Sequence, residues 1–160
     1  MNLDKIIKER SEEFEVFLVE IPMLLDDLTD LLKKSKNYKG IKELFTEDTL
    51  DKVESFFHDV LDGKEHINIP MNRLERILIA YIGEFLIERA GQGNWSLNKM
   101  KKTSNFGMIE IINYANVDHI PIYPLKMVNA MKNTRKKELK NDLMYFVNLE
   151  QEEKDFFKNV

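Results

Sequence analysis

His58, Asp59, Asp62 and His66 are residue types that can ligate metals, and together they form a metal-like cluster. Helix-borne zinc needs a His pair at i and i+4, and calcium needs carboxylates in loop order. Neither spacing occurs, so these residues read as surface positions at a helix end. Asp118 and His119 are adjacent, and neighbours in a strand point to opposite faces, so they do not define a catalytic dyad. Gly91-Gln92-Gly93 is too short for a phosphate cradle, precedes a strand-like segment and lacks the Lys-Ser/Thr ending. These motifs call for no cofactor and no metal.

Glu84 is the sharpest single candidate, because it interrupts a strongly apolar helical run beside Gly83. A carboxylate turned towards a core needs a partner, and a shifted pKa would suit acid-base chemistry. No second catalytic group can be identified, so the favoured reading is structural: Glu84 accepts a hydrogen bond from the backbone or from Trp95 and fixes how helix and sheet meet. Gly83 costs on the order of 1 kcal/mol relative to Ala inside a helix, which implies a close crossing by another element. Trp95 reads as a core residue of a first strand, with an exposed partner anchor as the alternative. Tyr81, Gly83, Glu84 and Trp95 are thus structural or interaction candidates, and no residue is assigned as catalytic.

These positions need a scaffold, and composition bounds it. The 160 residues are 43% hydrophobic and 32% charged, enough for a sizeable core, so residues 1–160 read as a single α+β domain. No Cys is present, which excludes disulfides, zinc-thiolate sites and thiol catalysis. The start at Met1-Asn2-Leu3-Asp4-Lys5 lacks a signal-peptide pattern, and no apolar run is long enough to span a bilayer, so a cytoplasmic protein without membrane contact is expected. The net charge of -4 is unevenly spread. Residues 1–70 hold 17 acidic and 10 basic side chains, whereas residues 71–160 hold 11 and 14. The acidic front disfavours nucleic acid and favours a basic partner, although charge also solvates outer helix faces. Lys132, Arg135, Lys136, Lys137 and Lys140 lack interleaved aromatics and read as a solvated face.

Periodicity supplies the elements. Apolar residues at helical spacing predict a first helix over 4–21, broken at Pro22, and a second over 23–36, with an exit at Asn37 to Gly40. Thr46 is an N-cap for a third helix that stops at Asp62-Gly63. A fourth and central helix starts at Met71 and carries Leu74, Ile77, Leu78, Tyr81, Ile82, Phe85 and Leu86. Trp95 and Leu97, then Met108 to Tyr114, read as antiparallel strands, with a third around His119 to Tyr123. Pro124 opens a helix to about Lys132, a stripe of Leu139, Leu143, Phe146 and Val147 follows, and Phe156, Phe157 and Val160 form a final turn or a loose end. Helices in front of and behind a small sheet give an α+β class.

The run Tyr81-Ile82-Gly83-Glu84, then Gly93-Asn94-Trp95, a strand at Met108 to Ile112 and Pro124-Leu125 before a helix resembles small bacterial domains of unknown function. Some such domains resemble immunity or accessory proteins encoded with toxins. The resemblance covers about a third of the chain, on a structural rather than a catalytic motif. It implies a bacterial protein-binding module, with a toxin as the partner of an immunity protein. The alternatives are a small hydrolase or other enzyme using Glu84 and, third, a nucleic-acid accessory protein using the basic run.

Overall fold

The computed structural model describes residues 2–117, 120–149 and 151–158, and in the last helix the side chains of residues 153–156. The elements are α1 (Leu3–Lys34), α2 (Glu47–Leu61), α3 (Met71–Ala90), β1 (Asn94–Leu97), β2 (Ile109–Ile112), α4 (Pro124–Thr134), α5 (Leu139–Val147) and α6 (Gln151–Lys158). The class is α+β, mostly helical with a small two-stranded antiparallel sheet. Among the described residues no helix is long and apolar enough to cross a membrane.

The first two expected helices are one, a 32-residue α1 that runs through Pro22. Asn2 opens it by accepting the backbone N–H of Asp4 and Lys5. A proline inside a helix forfeits one backbone hydrogen bond and costs on the order of 3 kcal/mol. Pro22 and Leu18, whose carbonyl loses that donor, are both exposed, so water can serve the carbonyl. Phe17, Ile21, Leu24, Leu28 and Leu32 form a buried stripe on both sides of the proline. Each buried side chain of that size contributes about 1.5–3 kcal/mol, so the stripe outweighs the defect. The helix ends at Lys34, two residues before the expected end, and residues 36–40 form the turn.

Thr46 caps α2 by accepting the Thr49 N–H at 3.2 Å. Gly91 ends α3 in the left-handed region at φ 73°, where a Cβ would be strained. α3 packs against α1, α4 and α5, with Leu74, Ile77, Leu78, Tyr81, Ile82, Phe85 and Leu86 all buried. It is the central helix that its apolar pattern predicts.

The sheet pairs Trp95 with Ile111, Ser96 with Glu110 and Leu97 with Ile109. Alternation therefore puts Trp95, Leu97, Ile109 and Ile111 on one face, and Ser96, Glu110 and Ile112 on the other. The expected third strand is reduced to a bridge in which Ile111 and Ile122 exchange backbone hydrogen bonds of 2.8 and 3.0 Å. Asp118 and His119 lie outside the described residues. Among the described residues three helices precede the sheet and three follow it, where the sequence reading expects four and then one or two. The difference arises from the continuous α1 and from the tail, which divides into α5 and α6. Phe156 is 66% exposed, while the Phe157 side chain and Val160 fall outside the described part.

Candidate functional site

α3 and β1 bring Gly83, Glu84 and Trp95 together. The Trp95 indole N–H donates to Glu84 Oε1 at 2.6 Å, and the six-membered ring lies on Gly83. A Cβ added at Gly83 would overlap Cη2 and Cζ2 of that ring, so only glycine fits with the ring in place. The indole also meets α1, edge to face with Phe17 at a centroid distance of 5.1 Å. Arg76 of α3 stands over Phe17, also at 5.1 Å, and its guanidinium pairs with Glu20 of α1 at 2.7 Å. Arg73, one turn earlier, pairs with Asp27 at 2.8 Å. Trp95 is thus the wedge where α1, α3 and β1 meet. Glu84 shares a hydrogen bond with no titratable side chain among the described residues, so it has no acid-base partner there.

Tyr81 stands one turn before the wedge, but it turns into the core. Its ring stacks on Phe45 at 6.1 Å and its hydroxyl donates to the Leu44 carbonyl at 2.8 Å. Burial raises its pKa above the ordinary phenol range. Tyr81 therefore ties α3 to the segment before α2 and is separate from the Trp95 contact.

The metal-like cluster is engaged otherwise: Lys64 stands 3.6 Å from Asp59 and 3.5 Å from Asp62, and His66 is exposed. His58 is not a surface residue; it is 7% exposed, and its Nε2 lies 3.2 Å from the Met131 carbonyl of α4. Nε2 is therefore the donor, because a carbonyl can only accept. Asp59 accepts the Tyr38 hydroxyl at 2.5 Å, and Asp62 pairs with Arg135 at 3.2 Å. No metal-ligating group of three or more occurs among the described residues.

The basic run also has structural employment. Lys132 pairs with Glu75 at 2.5 Å, Arg135 with Asp62 at 3.2 Å and Lys140 with Asp51 at 2.5 Å. These contacts tether α4 and α5 to α2 and α3, so the run is not simply the solvated face read from the sequence. Glu54 of α2 completes the attachment: Oε1 accepts the N–H groups of Glu138 and Leu139 at 3.2 and 3.3 Å, capping α5 from a neighbouring helix.

Two features escape the sequence reading. The first is a recess of about 390 Å³ on the face of the sheet away from Trp95, in which Asn98, Glu110 and Tyr123 meet an apolar wall of Met100, Ile112 and Pro121. Asn98 and Glu110 are only 5% and 8% exposed. One amide nitrogen, Asn98 Nδ2, donates to Glu110 Oε2 at 3.2 Å and to the Tyr123 hydroxyl at 2.8 Å. Burial raises the Tyr123 phenol first; the Asn98 contact lowers it, and hydrogen bonding and charge from Glu110 raise it further. Alternation predicts a solvent-facing Glu110, and the chain at Asn98 and Tyr123 covers it instead.

The second feature is the outward face of α1. Val16, Val19 and Met23, at i, i+3 and i+7, are 56%, 83% and 49% exposed. Glu12, Glu15, Asp26 and Asp30 lie around this ridge, are exposed and make no ion pair among the described residues. Residues 9–30 hold eight acidic side chains against Arg10 alone. Val16 also lines a shallow groove with Glu9, Glu12, Glu13 and Arg76.

No family model, curated protein or solved structure matches the chain.

Proposed function

We propose that this chain is a protein-binding module whose outward α1 face receives a basic amphipathic helix from a partner protein. The observation that carries the reading is the Val16, Val19 and Met23 ridge, exposed beside Glu12, Glu15, Asp26 and Asp30, which make no ion pair among the described residues. A helix exposes such a ridge at an energetic disadvantage in water, and a partner's apolar stripe would remove it. The surrounding acids select a stripe flanked by Lys or Arg and raise the encounter rate. An immunity protein neutralising a toxin in the bacterial cytoplasm is the specific form that fits, because a toxin surface that handles nucleic acid is basic. Residues 1–160 act as a single domain in this reading. Catalysis by Glu84 is less well supported, because its carboxylate holds Trp95 and has no reactive neighbour among the described residues. A nucleic-acid role is also less well supported, because Lys132, Arg135 and Lys140 are paired with acids.

The test is capture of the partner from the native cell, followed by binding kinetics at low and high salt. Screening should slow association more than it speeds dissociation. A partner that binds equally fast at both salt concentrations, or that leaves the α1 amide resonances unmoved, overturns the proposal.

A further inference from the structure

The recess beyond β2 presents a buried carboxylate held by neutral groups. Glu110 stands on the sheet face opposite Ile111, with Ser96 across from it in β1. Among the described residues it forms no ion pair, and Asn98, itself 5% exposed, supplies a neutral amide donor at 3.2 Å. Both ends of the Asn98 amide are engaged: Nδ2 serves Glu110 and Tyr123, while Oδ1 accepts the Met100 N–H at 2.9 Å. The amide therefore fixes carboxylate and phenol side by side, aimed into the recess. Ile112 and Pro121 supply apolar wall. A carboxylate withdrawn from water is stabilised most by a cation that also donates hydrogen bonds.

We infer that the Asn98, Glu110 and Tyr123 recess binds an ammonium or guanidinium group carried on a short apolar stem. The N–H donors meet Glu110, the Tyr123 oxygen accepts another, and the stem lies along Ile112 and Pro121. Lys99 also lines the recess and Lys126 stands 5.1 Å from the Tyr123 ring centroid, so a bound cation meets like charges that its bonds to Glu110 and Tyr123 must outweigh. The source of the cation is either a free amine or a Lys or Arg side chain of a protein. This site lies apart from the α1 ridge and does not depend on it.

The test is amide and side-chain NMR at neutral pH, titrating the whole chain with n-butylammonium and n-butylguanidinium, and with butyrate and 1-butanol as controls. The cations should shift the Asn98 side-chain amide saturably, and the controls should not. Glu110→Gln should weaken binding by about tenfold or more, as loss of a charge-assisted hydrogen bond requires. Lys99→Gln should tighten it by removing a like charge, and this variant decides the matter if Glu110→Gln does not fold. Blocked lysine and arginine amides form the second arm. Tighter binding of these than of the alkyl cations identifies a protein side chain as the ligand, and the reverse identifies a free amine. The inference is overturned by no saturable shift with any cation, by equal shifts with butyrate or butanol, by undiminished binding in a folded Glu110→Gln, or by unchanged binding in Lys99→Gln.

Discussion

The Trp95 ring rests directly on Gly83 while its indole N–H reaches the next residue of the same helix, Glu84, at 2.6 Å. Contact and hydrogen bond fix each other: the bond holds the ring down, and the missing Cβ lets it come that close.

Gly83→Ala should therefore destabilise the fold, although alanine is the better helix former. Propensity favours the change by about 1 kcal/mol. The clash with the flat face of Trp95 forces the ring off Phe17 or off Glu84, and overpacking of this kind costs about 1–3 kcal/mol. Trp95 is the only tryptophan, so urea unfolding followed by its fluorescence reports both stability and displacement. A more stable Gly83→Ala variant with an unshifted emission maximum contradicts the tight contact.

Glu84→Gln keeps an acceptor for the indole and should lose little stability. Glu84→Leu leaves the partly buried N–H without a partner and should cost about 1–3 kcal/mol. Equal stability of the two variants would show that the hydrogen bond contributes nothing beyond packing.

How far this wedge was legible follows from its chemistry. A glycine inside an apolar helical run asks for a close neighbour, a carboxylate beside it asks for a donor, and Trp95 is the nearest indole along the chain. The α+β class, the Thr46 cap and the central α3 were readable for the same reason, since each rests on local spacing or a local cap. Pro22 misled because its local cost is real but is outweighed by a stripe running from Phe17 to Leu32, which no short window weighs against one residue. Glu110 stayed hidden because alternation assigns a face to a strand residue, whereas burial depends on Asn98 and Tyr123, 12 and 25 residues apart from Glu110 and Asn98 respectively. His58 looked like a helix-end surface residue because the carbonyl it meets, at Met131, is 73 residues away.

Glu54 and His58, one turn apart on α2, should give opposite pH dependences. Burial raises Glu54 from 4.5, opposed by its bonds to Leu139 and Glu138 and by Lys137, and reinforced by Asp51. The folded state then holds this proton more tightly than the unfolded chain, so its contribution falls as pH rises from 4.5 through the raised folded value. Burial lowers His58 from 6.5; the Met131 bond and Asp62 oppose the shift, and Arg135 and Lys137 add to it. Its contribution is therefore complete above 6.5 and is lost as pH falls through the lower folded value. Denaturant unfolding across this range, with Glu54→Gln and His58→Gln, separates the two. Stability relative to Glu54→Gln should decline with rising pH, and stability relative to His58→Gln should decline with falling pH. Flat difference curves would contradict both assignments.

The α1 ridge and its surrounding acids should fail in different ways when altered. Glu12→Lys with Asp26→Lys reverses charges that act on an approaching basic helix, so the association rate should fall and most of its salt dependence should disappear. Val19→Ser removes the most exposed apolar contact, at 83% exposure, without changing charge, so the complex should dissociate faster while association is nearly unchanged. Burying a valine contributes about 1.5–3 kcal/mol, which corresponds to roughly a tenfold or larger change in the dissociation rate if the side chain is fully covered. All three positions are exposed, so the unfolding midpoint of each variant should stay close to that of the parent chain and separate binding from folding. Stopped-flow or surface kinetics against the captured partner supplies both rates. If charge reversal leaves association untouched and Val19→Ser leaves dissociation untouched, the partner binds elsewhere and the outward face of α1 is not its site.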